Sequence, residues 1–510
     1  MDLSRWIDRH AAFTPDKAAL VCSERSWSYA ELAQGVAATA AGLAAQGVTA
    51  GERVAHLGLN SAEQLLLLFA CARLGALFAP LSWRLAAPEH RAMLVDCTPR
   101  VLVLDPAFVD ASTSLGDVLG QTCCVCIGAA RPGWMSFQSL LDAGAPPPEA
   151  QYAAGPDDAV LLCYTSGSTG EPKGVVLTQE ALFYNAVNSA HMHDMTSADV
   201  VLTSLPLFHV GGLNIQTLPA LRCGASVILH PRFEPAAVSR ALQTQGVTLT
   251  VLVPAQLDLL ERDASWASLS FPALRSITTG SSIIDQALYR KHRRADVPLL
   301  QVYGATETCP IAAYQRAADA PAHPGSAGLA ALHCELRLVD ESGGDVPAGA
   351  TGEIWIRGPN VMQAYWAKPA ESAAALRDGW YHSGDVGHQD AQGFLYVDGR
   401  SKDVIISGGE NIYPAELENL LSLCEDIAEV AVVGRPDVRW GEAVVAVVVP
   451  KAGQQITRER ITQVLEGRVA RFKLPREVVL LPSLPRTALG KLMREQIRAA
   501  VRNASVAATA

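Results

Sequence analysis

From Trp27 to Val302 short apolar runs alternate with stretches of helical periodicity. Arg53 to Leu57 and Pro99 to Leu104 read as strands, while an Ala-rich stretch ending near Gln46 and the segment Ala62 to Leu74 read as helices. A second set follows, in which Val200 to Ser204, Ser226 to Leu229, Leu249 to Val253, Ser276 to Thr279 and Leu299 to Val302 are short apolar runs separated by helical patterns. Such runs belong to parallel strands covered on both faces, and the ligand of such a sheet lies at the carboxyl ends of its strands. Beyond Pro324 the pattern changes to short strands between glycine turns, including Glu335 to Val339, Gly352 to Arg357 and Phe394 to Val397, which predicts a small β-barrel. A last unit begins near Gly399, with helices Pro414 to Leu423 and Arg458 to Val469 and strands Ala428 to Val433 and Ala443 to Val449. The expected fold is therefore α/β. A large N-terminal domain, 1–399, holds two β/α subdomains and the barrel, and a small α+β C-terminal domain occupies 400–510. The tail Ala499 to Ala510 is expected to fray.

One stretch interrupts this regular pattern. Tyr164 to Val175 reads Tyr-Thr-Ser-Gly-Ser-Thr-Gly-Glu-Pro-Lys-Gly-Val and follows the buried-strand run Val160 to Cys163. Gly167, Gly170 and Gly174 let backbone N–H groups approach an anion, Thr165, Ser166, Ser168 and Thr169 add hydroxyl donors, and Lys173 adds a point charge. That composition suits polyphosphate better than it suits a plain surface loop. It is not a Walker A loop, because Pro172 stands where the second glycine would be and Lys173 is followed by Gly174 instead of Ser or Thr.

Composition narrows the partners. At 510 residues the chain exceeds a single core, and a net charge of -10 argues against nucleic acid or an anionic membrane surface. The substrates are then small molecules. The segment Met1 to Leu20 has no apolar h-region, so a cytoplasmic location is expected. Leu65 to Leu81 is broken by Arg73, Gly75 and Pro80 and reads as a buried core helix, not a membrane span. Cys123, Cys124 and Cys126 share one apolar strand, where core packing is a better account than a metal site.

Five further stretches accompany the phosphate loop in order: Leu205-Pro206-Leu207-Phe208-His209-Val210-Gly211-Gly212, Tyr303-Gly304-Ala305-Thr306-Glu307, Tyr381-His382-Ser383-Gly384-Asp385, Gly399-Arg400-Ser401-Lys402-Asp403 running on to Glu418, and Pro485-Arg486-Thr487-Ala488-Leu489-Gly490-Lys491. Over nearly its whole length the chain resembles the adenylate-forming enzymes, in their acyl- and aryl-CoA ligase branch. The resemblance implies an ATP-dependent reaction that joins a carboxylic acid to AMP, releases pyrophosphate, and passes the acyl group to CoA, with Mg²⁺ as cofactor. It places Lys491, Thr306, Glu307 and His209 in the catalytic set. Lys491 would bridge the carboxylate and the α-phosphate, Glu307 would hold the magnesium, Thr306 would meet phosphate, and His209 would wall or gate the acid pocket.

For ATP the resemblance points to the loop residues, with Gly280, Ser281, Tyr303 and Gly304 around the adenosine, Tyr303 against adenine, and Asp385 with Arg400 on the ribose. For CoA it points to Gly408 and Gly409 beside the pantetheine arm and to Trp440 on the adenine, where core filling is an equally good account of a Trp. Lys402 takes the hinge position, which makes the C-terminal domain mobile. Three other functions share these motifs: an adenylating enzyme that loads a carrier protein or stops at the adenylate, a non-catalytic nucleotide-binding protein, and a luciferase-type oxygenase. Retention of Lys491, Glu307 and the loop together disfavours the second. No Arg or Lys lies in His209 to Asn214, Pro254 to Leu257, Thr279 to Ser282 or Tyr303 to Pro310, the implied pocket segments, so an aromatic or medium-chain fatty acid is expected before a diacid. A homodimer is left open.

Overall fold

The computed structural model describes all residues except 1, 109–114, 129–131, 145–153, 167–171, 264, 282, 283, 285, 295, 408, 409, 438, 487–491 and 510. Two large sheets carry most of the chain. One has eight strands, in the order Ala364–Tyr365, Pro172–Thr178, Ala159–Ser166, Leu77–Leu81, Arg53–Leu57, Val101–Leu104, Cys123–Cys126 and Met135–Ser136. The other has nine, in the order Leu329–Ala330, Ala313–Tyr314, Leu299–Tyr303, Ser276–Thr279, Leu249–Val251, Val200–Thr203, Ser226–Leu229, Ala18–Cys22 and Arg25–Ser28. The five apolar runs of the second set pair in parallel, as expected for strands buried on both faces.

Helix Tyr29–Ala45 begins at a capping box, in which the Ser28 side chain accepts from Glu31 N–H and Glu31 returns a bond to Ser28 N–H. Helix Ala62–Leu74 is capped by Ser61 and stopped by Gly75 in the left-handed conformation. Residues Leu65 to Ala72 of that helix are all buried, because it belongs to one apolar cluster with Val54 and Phe78 of the first sheet and Val201 and Val227 of the second. The run Leu65 to Leu81 is thus not one helix. Gly75 divides it into a buried helix and the buried strand Leu77–Leu81.

Strands Glu335–Val339, Gly352–Arg357, Trp380–Gln389, Leu376–Arg377 and Leu395–Arg400 form the barrel-like unit as an antiparallel half-barrel. The fourth sheet starts at Ile405–Ser407 and is built on the long hairpin Ile427–Asp437 and Gly441–Pro450. Alternate residues of that hairpin serve opposite faces. Val432, Val444, Ala446 and Val448 pack with Leu417 and Ile461 of helices Pro414–Ser422 and Arg458–Leu465. Ala431, Val433, Val445 and Val447 pack with Ile497 and Val501 of helix Arg494–Thr509.

That last helix extends into the stretch expected to fray. Arg494 makes two bonds to Glu418, at 2.7 and 2.8 Å, and Arg498 bonds Asp403 at 3.1 Å, so charge pairing and an apolar face both hold the first half of the C-terminal helix. Cys123 and Cys124 are half-buried and Cys126 is buried; burial pushes the Cys124 thiol up to about 11, as suits packing side chains. Among the described residues no helix is long and apolar enough to cross a membrane.

Candidate active site

The carboxyl end of strand Leu299–Tyr303 delivers the first group. Gly304 follows with φ +156°, and a Cβ there would lie 1.8 Å from the Pro310 carbonyl oxygen, so only glycine allows the turn. The turn Thr306–Thr308 is pinned by Ala305 N–H donating to Thr308 Oγ1 at 2.9 Å, which leaves Thr306 buried and Glu307 half-buried. Met362 N–H donates to the Glu307 carbonyl at 2.7 Å, and the Tyr365 hydroxyl donates to Glu307 Oε1 at 2.8 Å. Strand Ala364–Tyr365 pairs with Val175 and Val176, which brings the edge of the first sheet to the end of the second.

Lys173 lies on that edge, with its Nζ 5.3 Å from the centre of the Tyr365 ring. Thr165 faces Lys173 across the antiparallel hairpin and its hydroxyl donates to the Lys173 carbonyl at 3.4 Å; Ser166 is the last residue of its strand. The structure therefore mounts the phosphate-loop sequence on a β-hairpin, not on a strand-to-helix turn. Gly167, Ser168, Thr169 and Gly170 lie outside the described residues, as do Gly408, Gly409 and Lys491.

Asp385 is the second focus. Tyr303 Oη donates to its Oδ2 at 2.9 Å, and Arg400 Nε pairs with its Oδ1 at 2.9 Å. Asp385 and Arg400 are register partners on neighbouring antiparallel strands, and Asp385 N–H donates to Ser383 Oγ at 3.0 Å. The carboxylate is therefore buried between two donors. Burial, reinforced by Asp385, holds the Tyr303 phenol well above its usual pKa, so it stays a donor; Asp385 raises that of Arg400.

Tyr381 is buried between these two foci, its ionisation opposed first by burial and then by Glu307. Tyr365 and Tyr381 are the site residues that motif reading passed over. Tyr365 has no fixed spacing to Glu307 and is placed only by sheet pairing, whereas Tyr381 stood inside a recognised motif without a role.

His209 starts a short helix and accepts from Gly211 N–H at Nδ1, 3.0 Å away. Desolvation, with Arg84 adding repulsion, pushes its pKa down to about 4, so near neutral pH the ring is uncharged with its proton on Nε2. Gly280 packs against strand Leu299–Tyr303, where a Cβ would lie 2.8 Å from the Val302 carbonyl oxygen. Ser281 follows, exposed and at positive φ. Lys402 is exposed in the turn Ser401–Asp403. Trp440 stands apart from the other groups on the fourth sheet, half-buried, with the Arg439 and Arg476 guanidinium carbons 4.9 and 4.3 Å from its ring centre.

Residues 7–366 match the family described as AMP-binding enzyme, and residues 416–491 match the AMP-binding enzyme C-terminal domain. An indoleacetate–CoA ligase of Aromatoleum aromaticum is 55% identical over 498 residues, covering 98% of this chain and 98% of that protein. A feruloyl-CoA synthase of an Amycolatopsis species is 39% identical, covering 97% of this chain and 98% of its own length. Among solved structures, the o-succinylbenzoate CoA synthetase of Bacillus subtilis in complex with ATP and magnesium ion superposes with a TM-score of 0.85 at 31% identity, over 96% of this chain and 98% of that one. On these matches the chain belongs to the AMP-binding enzyme family, in its acyl-CoA synthetase branch.

Proposed function

We propose that this enzyme activates an aryl-substituted carboxylic acid, an arylacetate of the indole-3-acetate kind, and transfers the acyl group to CoA. The observation that carries the substrate class is the 55% identity, along the whole chain, to a protein named for indoleacetate. The absence of Arg and Lys from the pocket segments themselves supports it, Arg84 being the cation that approaches His209 from another element.

In the first half-reaction a carboxylate oxygen attacks the α-phosphorus of ATP and pyrophosphate leaves. Two anions must meet, so cations and oriented donors have to offset their repulsion. Lys173 and the hairpin loop act on the β- and γ-phosphates. Asp385 and Arg400 take the ribose hydroxyls, and Tyr303 lies against the adenine. Glu307 suits a hard cation, because Tyr365 occupies only its Oε1 and leaves Oε2 to accept. Mg²⁺ bound there supplies charge neutralisation on the phosphates. In the second half-reaction the CoA sulfur attacks the acyl carbon and AMP leaves; His209, neutral near pH 7, walls the path between acid and adenylate. Thiol access passes Gly408 and Gly409, Trp440 stacks on the CoA adenine, and Lys402 is the hinge about which residues 400–510 turn between the half-reactions.

Pyrophosphate release measured with aryl, fatty and dicarboxylic acids tests the substrate class. Arylacetates are expected to have the highest kcat/KM, and a preference for a dicarboxylic acid would overturn it. The metal role has its own test. Glu307→Gln replaces a charged oxygen ligand by a neutral amide, so the magnesium concentration for half-maximal pyrophosphate release should rise about tenfold. An unchanged magnesium dependence would remove Glu307 from that role.

A further inference from the structure

A narrow cavity lies at the carboxyl ends of strands Val200–Thr203 and Leu249–Val251, under the segment that follows His209. Residues Leu213–Thr217 there form a π-helical turn whose five side chains are all buried, a wider turn than the α-helix and one often found at functional sites. Gly211 borders the cavity, and a Cβ on it would meet only the His209 ring.

Four polar side chains line this space. Two are satisfied: the Thr217 hydroxyl donates to the Gly212 carbonyl at 2.6 Å and so accepts from Thr203 at 2.7 Å. The other two are open. Gln216 Oε1 and Ser204 Oγ are buried, on residues each 1% exposed, and neither has a hydrogen-bond partner among the described residues. An unmet buried acceptor costs free energy, so two such atoms lining one cavity suit a donor supplied from outside the chain.

The Gln216 amide cannot turn its oxygen elsewhere. His193 Nδ1 lies 2.8 Å from the Ser189 carbonyl, which only accepts, so Nδ1 carries the ring proton. Burial pushes the His193 pKa down to about 4, which leaves Nε2 a bare acceptor near neutral pH. That nitrogen accepts from the Thr278 hydroxyl at 2.8 Å and from Gln216 Nε2 at 3.0 Å, and Gln216 Nε2 also reaches Thr278 Oγ1 at 3.3 Å. Reversing the amide would set its oxygen against the His193 lone pair. The relay Ser189–His193–Gln216 therefore aims Oε1 into the cavity before any ligand arrives.

We propose that Gln216 Oε1, with Ser204 Oγ beside it, is a specificity subsite that accepts a hydrogen bond from an N–H on the aromatic ring of the acid. The proposal rests on the aryl-acid reading above and sharpens it: the enzyme selects ring systems that carry a donor, such as the indole N–H, over isosteres that lack one. A site that hydrogen-bonds its substrate rejects the analogue without the donor, because its own polar atom is then left buried and unpaired.

The test compares kcat/KM for indole-3-acetate and benzofuran-3-acetate, which differ by a ring oxygen in place of N–H. The intact enzyme is expected to favour the indole acid by about tenfold to a hundredfold. Gln216→Met removes the acceptor at similar volume and should bring the ratio close to one; Ser204→Ala, which leaves the relay untouched, should lower it at least about threefold. A ratio near one in the unaltered enzyme overturns the proposal, as does full discrimination by a folded Gln216→Met protein. Should Gln216→Met fail to fold, an unchanged ratio in Ser204→Ala overturns it. Preference for fatty or dicarboxylic acids over both test acids overturns the aryl reading and this subsite together, whereas equal use of both aryl acids overturns the subsite alone.

Discussion

Lys491→Ala is expected to slow acyl-adenylate formation by about a hundredfold to a thousandfold, while the attack of CoA on supplied acyl-AMP proceeds within a few-fold of normal. Adenylation brings a carboxylate to a triphosphate, and charge accumulates on the α-phosphate as the new bond forms. A compact ammonium between the two anions is worth most at that point and little once pyrophosphate has left. Lys491 closes the motif Pro485 to Lys491 that resembles the bridging-lysine segment of the family, which is why the effect should be confined to one half-reaction. Acid-dependent exchange of pyrophosphate into ATP measures the first step and thioester formation from acyl-AMP measures the second. Equal losses in both would show that Lys491 has no special role in adenylation.

Asp385→Ala should raise the KM for ATP by about tenfold to a hundredfold, the loss that the proposed role as acceptor of the ribose hydroxyls requires. The structure adds a second consequence. Asp385 is the shared acceptor of Tyr303 and Arg400, so its removal leaves a half-buried phenol and a guanidinium without it. The folded protein should therefore also lose about 1–3 kcal/mol of stability, seen as a lower thermal midpoint. Saturating ATP should protect the unaltered enzyme against heat more than it protects the variant. A variant with normal ATP kinetics and a lower midpoint would reduce Asp385 to a structural anchor.

The two predictions differ in what supports them. Lys491 is named by motif alone. Asp385 was also named by motif, but the dual effect of replacing it follows from contacts across strands Leu299–Tyr303, Trp380–Gln389 and Leu395–Arg400, which no local pattern relates. Tyr365 shows the same limit. Its bond to Glu307 and its place beside Lys173 depend on strand Ala364–Tyr365 joining the far edge of the eight-stranded sheet.

By itself the sequence determined the elements and their order. The runs Val200 to Ser204 and Ser226 to Leu229 are strands within a residue of their expected ends, because a strand buried on both faces needs a mostly apolar run. Helix Ala62–Leu74 was equally legible from its composition and its terminal Gly75. The sequence also determined the family, since six motifs in order carry chemistry that depends on residue type. Tertiary structure decided which strands are neighbours. Strands Ala18–Cys22 and Arg25–Ser28 join the second sheet beside Ser226–Leu229, far along the chain, and helix Arg494–Thr509 extends into the stretch whose composition suggested fraying. Pairing and packing hold these elements, and both are made with residues distant in sequence. It also decided which polar atoms remain open. Gln216 has the same composition-level signature as any buried glutamine; only the Ser189 carbonyl and His193 ring of helix Gln179–His193 and the Thr278 hydroxyl of strand Ser276–Thr279, two elements distant in sequence, turn its oxygen toward the cavity.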